Sequence, residues 1–577
     1  MLYKNDTDPA IQKDIKIIQD ACASFEKKYK TSDFIKTPQS LAKALADFET
    51  LKGVLGGHKP WWYFTLKTDL DSNDQKSAAQ ATKFEQLIIE ASNKISFFHL
   101  RIAQIPKAKQ NTFLKDKILS PYSYVLKRIF DGAQFNLTEQ EEQLDNLLSQ
   151  PGYSMWIDSN QKLLNQQTIS YKGKNISLVE AQLKISDLPK KERHKLHNDL
   201  HKKFEEISFS SEAELNAVYN YKKIMDERRG YAKPYSATVR EYENDEKSIE
   251  TLVSLITKYF SISHRFYRIH AQILGEKKVT MADRSTKAGV VKKKFNFQTA
   301  IKIVRGAFAK VDKQYVDILD SFLEEGHVDV YPKKGKKSGA YCWGSVDTPT
   351  YVFLNHLDDL RSVEIFAHEM GHAIHTEMSK TQPIRYQEYS TATAEVASTF
   401  FEQLVTAELE NYLSEDEKVI LLHNKILGNV STIFRQIACF NFELELHTKI
   451  RSEGQVSKEK IAELLAKHLK SYTGPSMDVS TLDGYFYVTW SHIRRFFYVY
   501  SYAYGQIISR ALYENWKKDS SYAKKIEQFL KAGRSMSPED IFKSIGIDVS
   551  DSKFFEAGLK GIEADVKKLE KMVKSKK

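Results

Sequence analysis

Residues that form turns are scarce along this chain, and their scarcity limits which folds it can adopt. Only 24 glycines and 13 prolines occur among 577 residues, about half of the usual share. A barrel or sandwich needs a turn roughly every ten residues, so we expect long helices instead. Hydrophobic residues make up 41% and charged residues 28%, which is the balance of a globular protein with a large core. The sequence therefore predicts a mainly α-helical fold.

The cysteines and the lengths of the apolar runs indicate the cellular compartment in which the protein is expected. Cys22, Cys342 and Cys439 are too sparse for a disulfide scaffold and lack the C-x-x-C spacing of a cysteine zinc site, so they favour a reducing compartment. The first residues include Asp6 and Asp8 and lead into no apolar segment typical of a signal peptide. No run approaches the roughly 18 consecutive apolar residues of a membrane helix. We expect a cytoplasmic protein with no membrane partner.

The net charge of +11 is spread along the chain, with dense basic runs at residues 333–337 and 292–294. Aromatic residues are not interleaved with these runs, as they would be on an RNA-binding sheet. Short charged runs of this kind usually form exposed loops. We therefore predict no nucleic-acid partner.

Glycines fall close together between residues 326 and 344, in a chain that is otherwise poor in them. Strand-forming residues lie at 328–331 and again at 351–354, which predicts one small β-region of short strands joined by loops. A shorter extended piece is expected at residues 175–177. Elsewhere apolar residues recur at helical spacing, for example Ile11, Ile15, Ile18 and Cys22.

The segment after the β-region, residues 358–377, is predicted to form a helix and contains an HExxH sequence at residues 368–372. Residues four apart share one face of a helix, so the imidazoles of His368 and His372 can bind one zinc ion. Glu369 lies beside them, where it can accept a proton from the water that such an ion activates.

Three features favour a metal site over the alternative, a helix with two surface histidines. The residues around the motif are apolar, so the histidines would be buried. Gly371 lies in mid-helix, where it costs about 1 kcal/mol relative to alanine, and a close approach by another backbone or a ligand would account for it. The helix also follows the β-region, and an edge strand beside a zinc helix can hold a peptide extended.

A catalytic zinc site needs three protein ligands, and two residues are candidates for the third. His375 shares the helix face of the motif, but three ligands from one short stretch of straight helix would strain the geometry. Glu395 is the only carboxylate in the small, apolar stretch 394–399, and an unpaired buried carboxylate is costly. A metal would satisfy Glu395, as would a buried arginine. Three residues on its helix face could orient a ligand: Ser398, Thr399 and Glu402.

The two helices together carry a family resemblance. HEMGHAIH at residues 368–375 and AEVAST at 394–399 closely resemble the oligoendopeptidase F branch of the M3 family of zinc oligopeptidases. KSGAYC at 337–342 matches the glycine-containing lead-in of that branch, and DERRGY at 226–231 resembles its interior R-x-Y-x-x-P region. The similarity covers about residues 90–545, and the zinc motif is its most specific part.

The resemblance implies a mainly helical, two-lobed zincin-type fold, with the small β-region next to the HExxH helix and the zinc deep in a channel. It implies an N-terminal helical region, residues 1–185, and an M3-type catalytic region that holds the zinc site, residues 186–577. The implied substrates are short unstructured peptides, because the channel would exclude folded proteins.

The resemblance also assigns roles at the zinc site. His368, His372 and Glu395 match the ligands of one zinc ion per chain, and Glu369 matches the general base. In the mechanism that follows, a peptide lies extended beside the strand at 351–355 and the zinc polarises its scissile carbonyl. Glu369 takes the proton of the attacking water and passes it to the leaving amine.

The family has, in addition, a C-terminal cluster of histidine and tyrosine that stabilises the oxyanion. In residues 490–505 the Phe-Tyr-Val-Tyr-x-Tyr-Ala core fits the branch, whereas the preceding stretch departs from the usual Pro-His-Phe. The residues that match this role are His492, Tyr498 and Tyr500. Alternate positions of a helix differ by about 200°, so the tyrosines at 498, 500 and 502 are not all expected to face the zinc. Packing in the core is the alternative for each.

Two other functions stay open beside a zinc endopeptidase of short peptides. A peptidyl-dipeptidase would need a cation that holds the terminal carboxylate, and the sequence does not decide whether Arg494 or Arg495 lies there. A non-catalytic helical peptide-binding protein would need the ligands but not the base, so the intact Glu369 argues against it. The sequence makes no prediction of the oligomeric state.

Overall fold

The computed structural model describes residues 2–346 and 348–575. Most of these residues are helical, which confirms the predicted mainly α fold class. The helices are α1 (Pro9–Tyr29), α2 (Pro38–Leu55), α3 (Lys59–Leu70), α4 (Gln75–Asn93), α5 (Phe97–Ala103), α6 (Lys107–Lys115), α7 (Ser123–Gly132), α8 (Glu139–Ser149), α9 (Met155–Gln166), α10 (Leu178–Ile185), α11 (Lys190–Arg229), α12 (Ser236–Glu241), α13 (Glu246–Lys258), α14 (Phe260–Ile273), α15 (Phe297–Ala309), α16 (Lys313–Glu324), α17 (Leu360–Ser379), α18 (Thr391–Leu409), α19 (Glu415–Asn429), α20 (Arg435–Glu453), α21 (Lys458–Thr473), α22 (Thr481–Gly484), α23 (Tyr500–Lys518), α24 (Ala523–Lys531), α25 (Pro538–Ser544) and α26 (Ser552–Lys574).

Short strands form small sheets of two or three strands among the described residues. They are β1 (Thr168–Tyr171), β2 (Lys174–Ser177), β3 (Val279–Thr280), β4 (Val328–Asp329), β5 (Tyr341–Trp343), β6 (Tyr351–Phe353) and β7 (Met477–Asp478). β1 and β2 pair antiparallel across Lys172 and Gly173, which both have positive φ, as a tight hairpin turn requires. β3 and β7 pair in parallel. β4 and β6 lie where the sequence places strand-forming residues, at 328–331 and 351–354, whereas no strand is expected from the sequence at β5, β3 or β7.

The chain divides into two compact units, each made of three segments. Unit 1 consists of Met1–Asn136, Lys293–Glu408 and Tyr513–Ile541. Unit 2 consists of Leu137–Lys292, Leu409–Leu512 and Phe542–Lys577. The division into residues 1–185 and 186–577 is based on the family resemblance and not on compact units. It stays a prediction.

The N-terminal helices of unit 1 pack around an aromatic cluster. α1 buries the four positions whose spacing predicts a helix: Ile11, Ile15, Ile18 and Cys22. The ring of Phe98 on α5 stacks on Phe34 and on Phe48 of α2, with centroids 5.0 and 4.7 Å apart. Burying one such ring contributes about 1.5–3 kcal/mol, so this cluster holds the first helices together.

The sheet of unit 1 packs on α17 with the strand order β4-β6-β5. Val352 in the central strand β6 faces Val328 of the parallel neighbour β4 and Cys342 of the antiparallel neighbour β5. The prediction that a peptide lies beside the strand at 351–355 is therefore wrong, because β6 already pairs on both sides. β5 is the edge strand that lies against α17.

Two features fix the position of α17. The Asp359 side chain caps the helix by accepting a hydrogen bond from the Ser362 N–H at 2.8 Å. At Gly371 the helix meets α18 so closely that an added Cβ would lie 2.7 Å from Ser398 Cα. The expected close approach at Gly371 is confirmed, and the partner is a backbone. Because the two helices touch there, side chains on their facing sides converge.

Unit 2 is organised around α11, a helix of 40 residues. Glu214 on α11 accepts two hydrogen bonds of 2.6 Å from the Arg494 guanidinium, and both side chains are buried. Tyr219 on the same helix donates to the Ile493 carbonyl at 3.0 Å. These bonds attach the segment before α23 to α11. Among the described residues, no helix combines the length and the apolar character that crossing a bilayer requires.

Candidate active site

α17 and α18 bring together the three residues that the sequence proposes as metal ligands. His368 Nε2 lies 3.5 Å from Glu395 Oε2, and His372 Nε2 lies 3.9 Å from the same oxygen. One ligand atom of each residue lies within 4.8 Å of the others. Two imidazoles and one carboxylate are a donor set that suits zinc, so the residues fit this ion.

A chain of charged groups holds the first histidine in place. His368 Nδ1 donates to Glu402 Oε2 at 2.9 Å, which leaves Nε2 facing Glu395 and His372. Glu402 Oε1 in turn accepts from Arg361 at 3.1 Å, and Arg361 also bonds Glu364 at 3.2 Å. A carboxylate behind a metal-binding histidine fixes the ring orientation and raises the basicity of the ligand nitrogen.

The other two residues expected to orient a ligand act differently from each other. Ser398 Oγ donates to the Glu395 carboxylate at 3.2 Å and restrains it. Thr399 Oγ1 bonds the main-chain carbonyl of Glu395 at 2.5 Å, a contact within α18 that does not reach the carboxylate. Only Ser398 and Glu402 therefore contact the donor side chains.

The charges at the site favour a cation. Burial alone would lower the pKa of His368, but bonds and charges from Glu395 and Glu402 raise it to about 10. Burial would raise the pKa of Glu395, yet the bond with His368 and the charges of both histidines lower it to about 2. Burial lowers the pKa of His372 to about 4. The carboxylates of Glu395 and Glu402 therefore attract positive charge to the space that the neutral imidazole of His372 also faces. A metal ion bound there would compete with the proton on His368.

Glu369 lies next to the three donors and only 7% of it is exposed. Burial raises the pKa of its carboxyl to about 7, and the charges of Glu395 and Glu402 act in the same direction. A hydrogen bond from the Cys342 backbone N–H on β5 opposes this rise. A carboxyl with a pKa near neutrality can both accept and release a proton, as a general base must.

His375, the rejected candidate for third ligand, belongs to the core of unit 1. Its ring stacks on Tyr389 with centroids 3.8 Å apart and lies near Phe529. It offers no atom to the group of His368, His372 and Glu395.

The candidates for oxyanion stabilisation all lie in unit 2, and only two of the three come together. The His492 ring lies 5.6 Å from Tyr498 and 6.0 Å from Tyr502, and the Tyr502 hydroxyl donates to that of Tyr498 at 3.2 Å. Tyr500 is fully buried and donates to Asn244 at 2.9 Å. Tyr500 therefore packs in the core, which is the alternative to a role at the oxyanion. Tyr502 lies beside His492 and Tyr498 instead.

The segment that carries these aromatics is strained. Phe496 and Phe497 have φ values of 45° and 64°, which non-glycine residues rarely adopt. Such positions cost on the order of 1–3 kcal/mol each and persist only where neighbours hold them. Thr238 donates to the Phe496 carbonyl at 2.7 Å, and the Phe497 N–H donates to the buried Glu443 at 2.9 Å.

Sequence reasoning missed several of these supporting residues. Arg361 and Glu364 precede His368 by seven and four residues on the same helix face, so helical spacing could have indicated them. Glu443 lies in the alternating run Phe-Glu-Leu-Glu-Leu, which holds two glutamates, so the sequence alone does not mark which of them is buried. Thr238 is distant in the sequence and gives no such signal.

The helical fold and the HExxH helix, with a glutamate from a second helix, define a metallopeptidase. The sequence model of Peptidase family M3 matches residues 189–561, and that of Oligopeptidase F matches residues 101–165. Because the first match spans more than half of the chain, the protein belongs to peptidase family M3, in its oligopeptidase F branch.

Individual relatives agree with this assignment. Oligopeptidase PepF of Bacillus subtilis is 27% identical over 532 residues, which cover 89% of this chain and 78% of the relative. The crystal structure of oligoendopeptidase-F from Enterococcus faecium has a TM-score of 0.73 at 19% identity and covers 98% of this chain and 99% of its own. A Chlamydophila abortus protein assigned as a peptidase has a TM-score of 0.83 at 22% identity, with 93% and 92% covered. At these identities the two structures support the fold alone.

Proposed function

We propose that this M3 metallopeptidase is a zinc endopeptidase that hydrolyses internal bonds of short, unstructured oligopeptides. We assign one catalytic zinc ion to His368, His372 and Glu395. The observation that carries this assignment is the convergence of the three donor atoms within 4.8 Å, with Glu402 behind His368. The relatives named as oligopeptidases support the substrate class.

Glu369 is the general base of the proposed reaction. When bound, zinc polarises the scissile carbonyl and makes water more acidic. The Glu369 carboxylate accepts the proton of the attacking water and then delivers it to the leaving amine. The burial that raises its pKa to about 7 suits both transfers, and the Cys342 N–H on β5 bonds the carboxylate.

The substrate strand is proposed to lie along β5. An extended peptide binds to a sheet by pairing with an edge strand, and β5 is the edge strand that contacts α17. The side chains of Tyr341 and Trp343 are anchored, since Tyr341 donates to Asp69 at 2.8 Å and Trp343 packs on Trp62 at 4.8 Å. A fixed edge strand offers its backbone groups without further ordering, apart from the Cys342 N–H, which bonds Glu369.

We carry over oxyanion stabilisation to His492 and Tyr498, with Tyr502 in place of Tyr500. The support is the family resemblance together with the contacts among these three rings in unit 2. If a hydroxyl has this role, its removal should slow turnover without weakening zinc binding. Tyr498→Phe and Tyr502→Phe test this, with Tyr500→Phe as the control that affects only the core.

The exopeptidase alternative is less well supported. It needs a free cation for the terminal carboxylate of the substrate. Arg494 is buried and fully engaged with Glu214 and with main-chain carbonyls, so it is not free for such a role. Arg495 is exposed and stays the remaining candidate.

Mapping of cleavage sites by mass spectrometry tests the proposed function. Peptides of graded length and one intact folded protein are incubated with the zinc-loaded enzyme and with its Glu369→Gln variant. We expect internal cuts confined to the short peptides and absent from the variant. Release of C-terminal dipeptides alone would support the exopeptidase, and no cleavage by zinc-loaded protein would support a binding protein.

A further inference from the structure

Three side chains of unit 2 repeat the donor pattern of the active site. His197 and His201 are four residues apart on α11, and Asp483 comes from α22. His197 Nε2 lies 2.8 Å from Asp483 Oδ1, and the two imidazole rings stack with centroids 4.1 Å apart. One ligand atom of each residue lies within 4.8 Å of the others, as is also true of the active-site donors.

Two of these donors have a second contact that orients them. His201 Nδ1 donates to the Leu482 carbonyl at 3.2 Å, which leaves Nε2 as the nitrogen with a free lone pair. Asp483 Oδ2 accepts from the backbone N–H and the hydroxyl of Ser480, at 2.7 and 2.8 Å, while Oδ1 faces His197. Metal-binding histidines and carboxylates are typically held by such contacts on the side away from the ion.

The surroundings hold the donors in fixed positions. An added Cβ on Gly484, the residue after Asp483, would lie 1.9 Å from a main-chain carbonyl of α21, so the α22 turn is pressed against that helix. His201 is buried, with Phe204 and Phe486 beside its ring. The His197 side chain is 16% exposed and gives access from solvent.

We propose that His197, His201 and Asp483 form a second metal site, which binds a divalent transition metal such as zinc. Two imidazoles and one carboxylate prefer such ions to calcium or magnesium. The residue after His197 is Asn198, so no glutamate stands where the active site has its base. The site is structural: the ion joins α11 to the turn that precedes the His492 segment.

Counting bound metal tests this proposal on the full chain. The protein is stripped with a chelator, reloaded with zinc, desalted, and measured by inductively coupled plasma mass spectrometry. We expect two zinc ions per wild-type chain, one in His372→Gln, one in His201→Gln and none in the double variant. His194→Gln is the matched control, because His194 lies on the same helix but pairs with Asp283, and it should keep both ions.

One ion in the wild type and none in His372→Gln would overturn the proposal and leave a packed ion pair of His197 and Asp483. These two counts decide the question even if His201→Gln does not fold. A further readout is thermal: zinc should raise the melting temperature of stripped His372→Gln, where only the second site can bind. No rise would contradict a structural ion in unit 2. Because neither readout uses peptide cleavage, a failure of the proposed function does not affect them.

Discussion

Two helices of this protein present histidines four residues apart together with a carboxylate from another helix, yet their surroundings differ. In unit 1 the side chains of His368, His372 and Glu395 are 24%, 17% and 33% exposed. In unit 2, His201 and Asp483 are buried and the His197 side chain is 16% exposed. Catalytic metal sites keep a position open to water and substrate, whereas structural sites are closed. Glu395 and His368 are more exposed than any donor in unit 2, which agrees with the open role proposed for the first site and the structural role proposed for the second.

The residue beside the first histidine differs as well. Unit 1 has Glu369 there, with a pKa raised by burial to about 7, and unit 2 has Asn198. A glutamate can accept a proton and an asparagine cannot, so only the site proposed in unit 1 has a candidate general base beside its first histidine. Two histidines at this spacing indicate a metal site only together with a carboxylate partner, and the residue beside the first histidine bears on the chemistry that the site could support.

The largest effect is expected from Glu369→Gln. The amide keeps the shape of the side chain but cannot accept a proton, so kcat/KM should fall about 10²–10⁴-fold while zinc remains bound. Peptide cleavage and metal content are measured on the same preparation. Glu377→Gln is the control on the same helix, since Glu377 pairs with Lys380 at 2.8 Å, and it should stay near wild-type activity. A zinc-loaded Glu369→Gln with full activity would contradict the proposed mechanism.

Glu402→Gln should have the next largest effect. A neutral amide holds His368 Nδ1 less firmly than a carboxylate and leaves Arg361 without one of its anionic partners. We expect zinc affinity of the active site to fall about 10–100-fold, measured by competition with a chromogenic chelator. Glu408→Gln, on the same helix and paired with Lys310, should bind zinc as the wild type does. Equal affinity in both variants would show that Glu402 does not support the ligand.

Gly371→Ala tests the contact between α17 and α18. The added methyl group would meet Ser398 Cα at 2.7 Å, so a backbone must move and the histidines separate from Glu395. We expect a loss of about 1–3 kcal/mol in the free energy of unfolding, together with weaker zinc binding. Gly428→Ala, in α19 with no atom within 4 Å of an added Cβ, should be neutral or slightly stabilising. Equal stability of the two variants would exclude the steric explanation.

The three proposed metal ligands come together in the structure as expected, and their signals in the sequence are local. Each signal can be recognised within one or two helical turns: the HExxH spacing, the glycine in mid-helix and the single carboxylate Glu395. The choice of strand failed for a non-local reason: whether β6 or β5 is the edge depends on the pairing of β4, which the spacing of residues 351–354 does not reveal.

Long-range contacts explain the other differences. Tyr500 is buried and bonds Asn244, which lies 256 residues earlier in the sequence. The helical spacing of residues 498–502 gives no information about so distant a partner. His197 and His201 were visible in the sequence at metal-ligand spacing, but their carboxylate partner lies 286 residues from His197. Without that partner, two histidines on a helix are as consistent with an exposed surface as with a metal site.

A second contrast between the units concerns two buried carboxyls. Glu369 lies among histidines, whereas Glu443 is fully buried with one bond from Phe497, and burial raises its pKa to about 8. The unfolded chain titrates near 4.5. Between these pH values the folded protein keeps a proton that the unfolded chain has released, so the unfolding free energy falls as the pH rises, by at most about 1.4 kcal/mol per unit.

Glu443→Gln removes this pH dependence because the amide has no proton to lose and can still accept from the Phe497 N–H. We expect the stability of the variant relative to wild type to increase between pH 4.5 and 8 and to be constant outside that window, measured from urea unfolding at several pH values. Glu445→Gln is the control on the same helix: Glu445 bonds Lys467 and His468, its pKa lies below the ordinary value, and its difference from wild type should change only in acid. Parallel curves for wild type and Glu443→Gln would mean that Glu443 is ionised in the folded protein. The strained turn at Phe496 and Phe497 would then be held by a buried negative charge instead of a neutral acid.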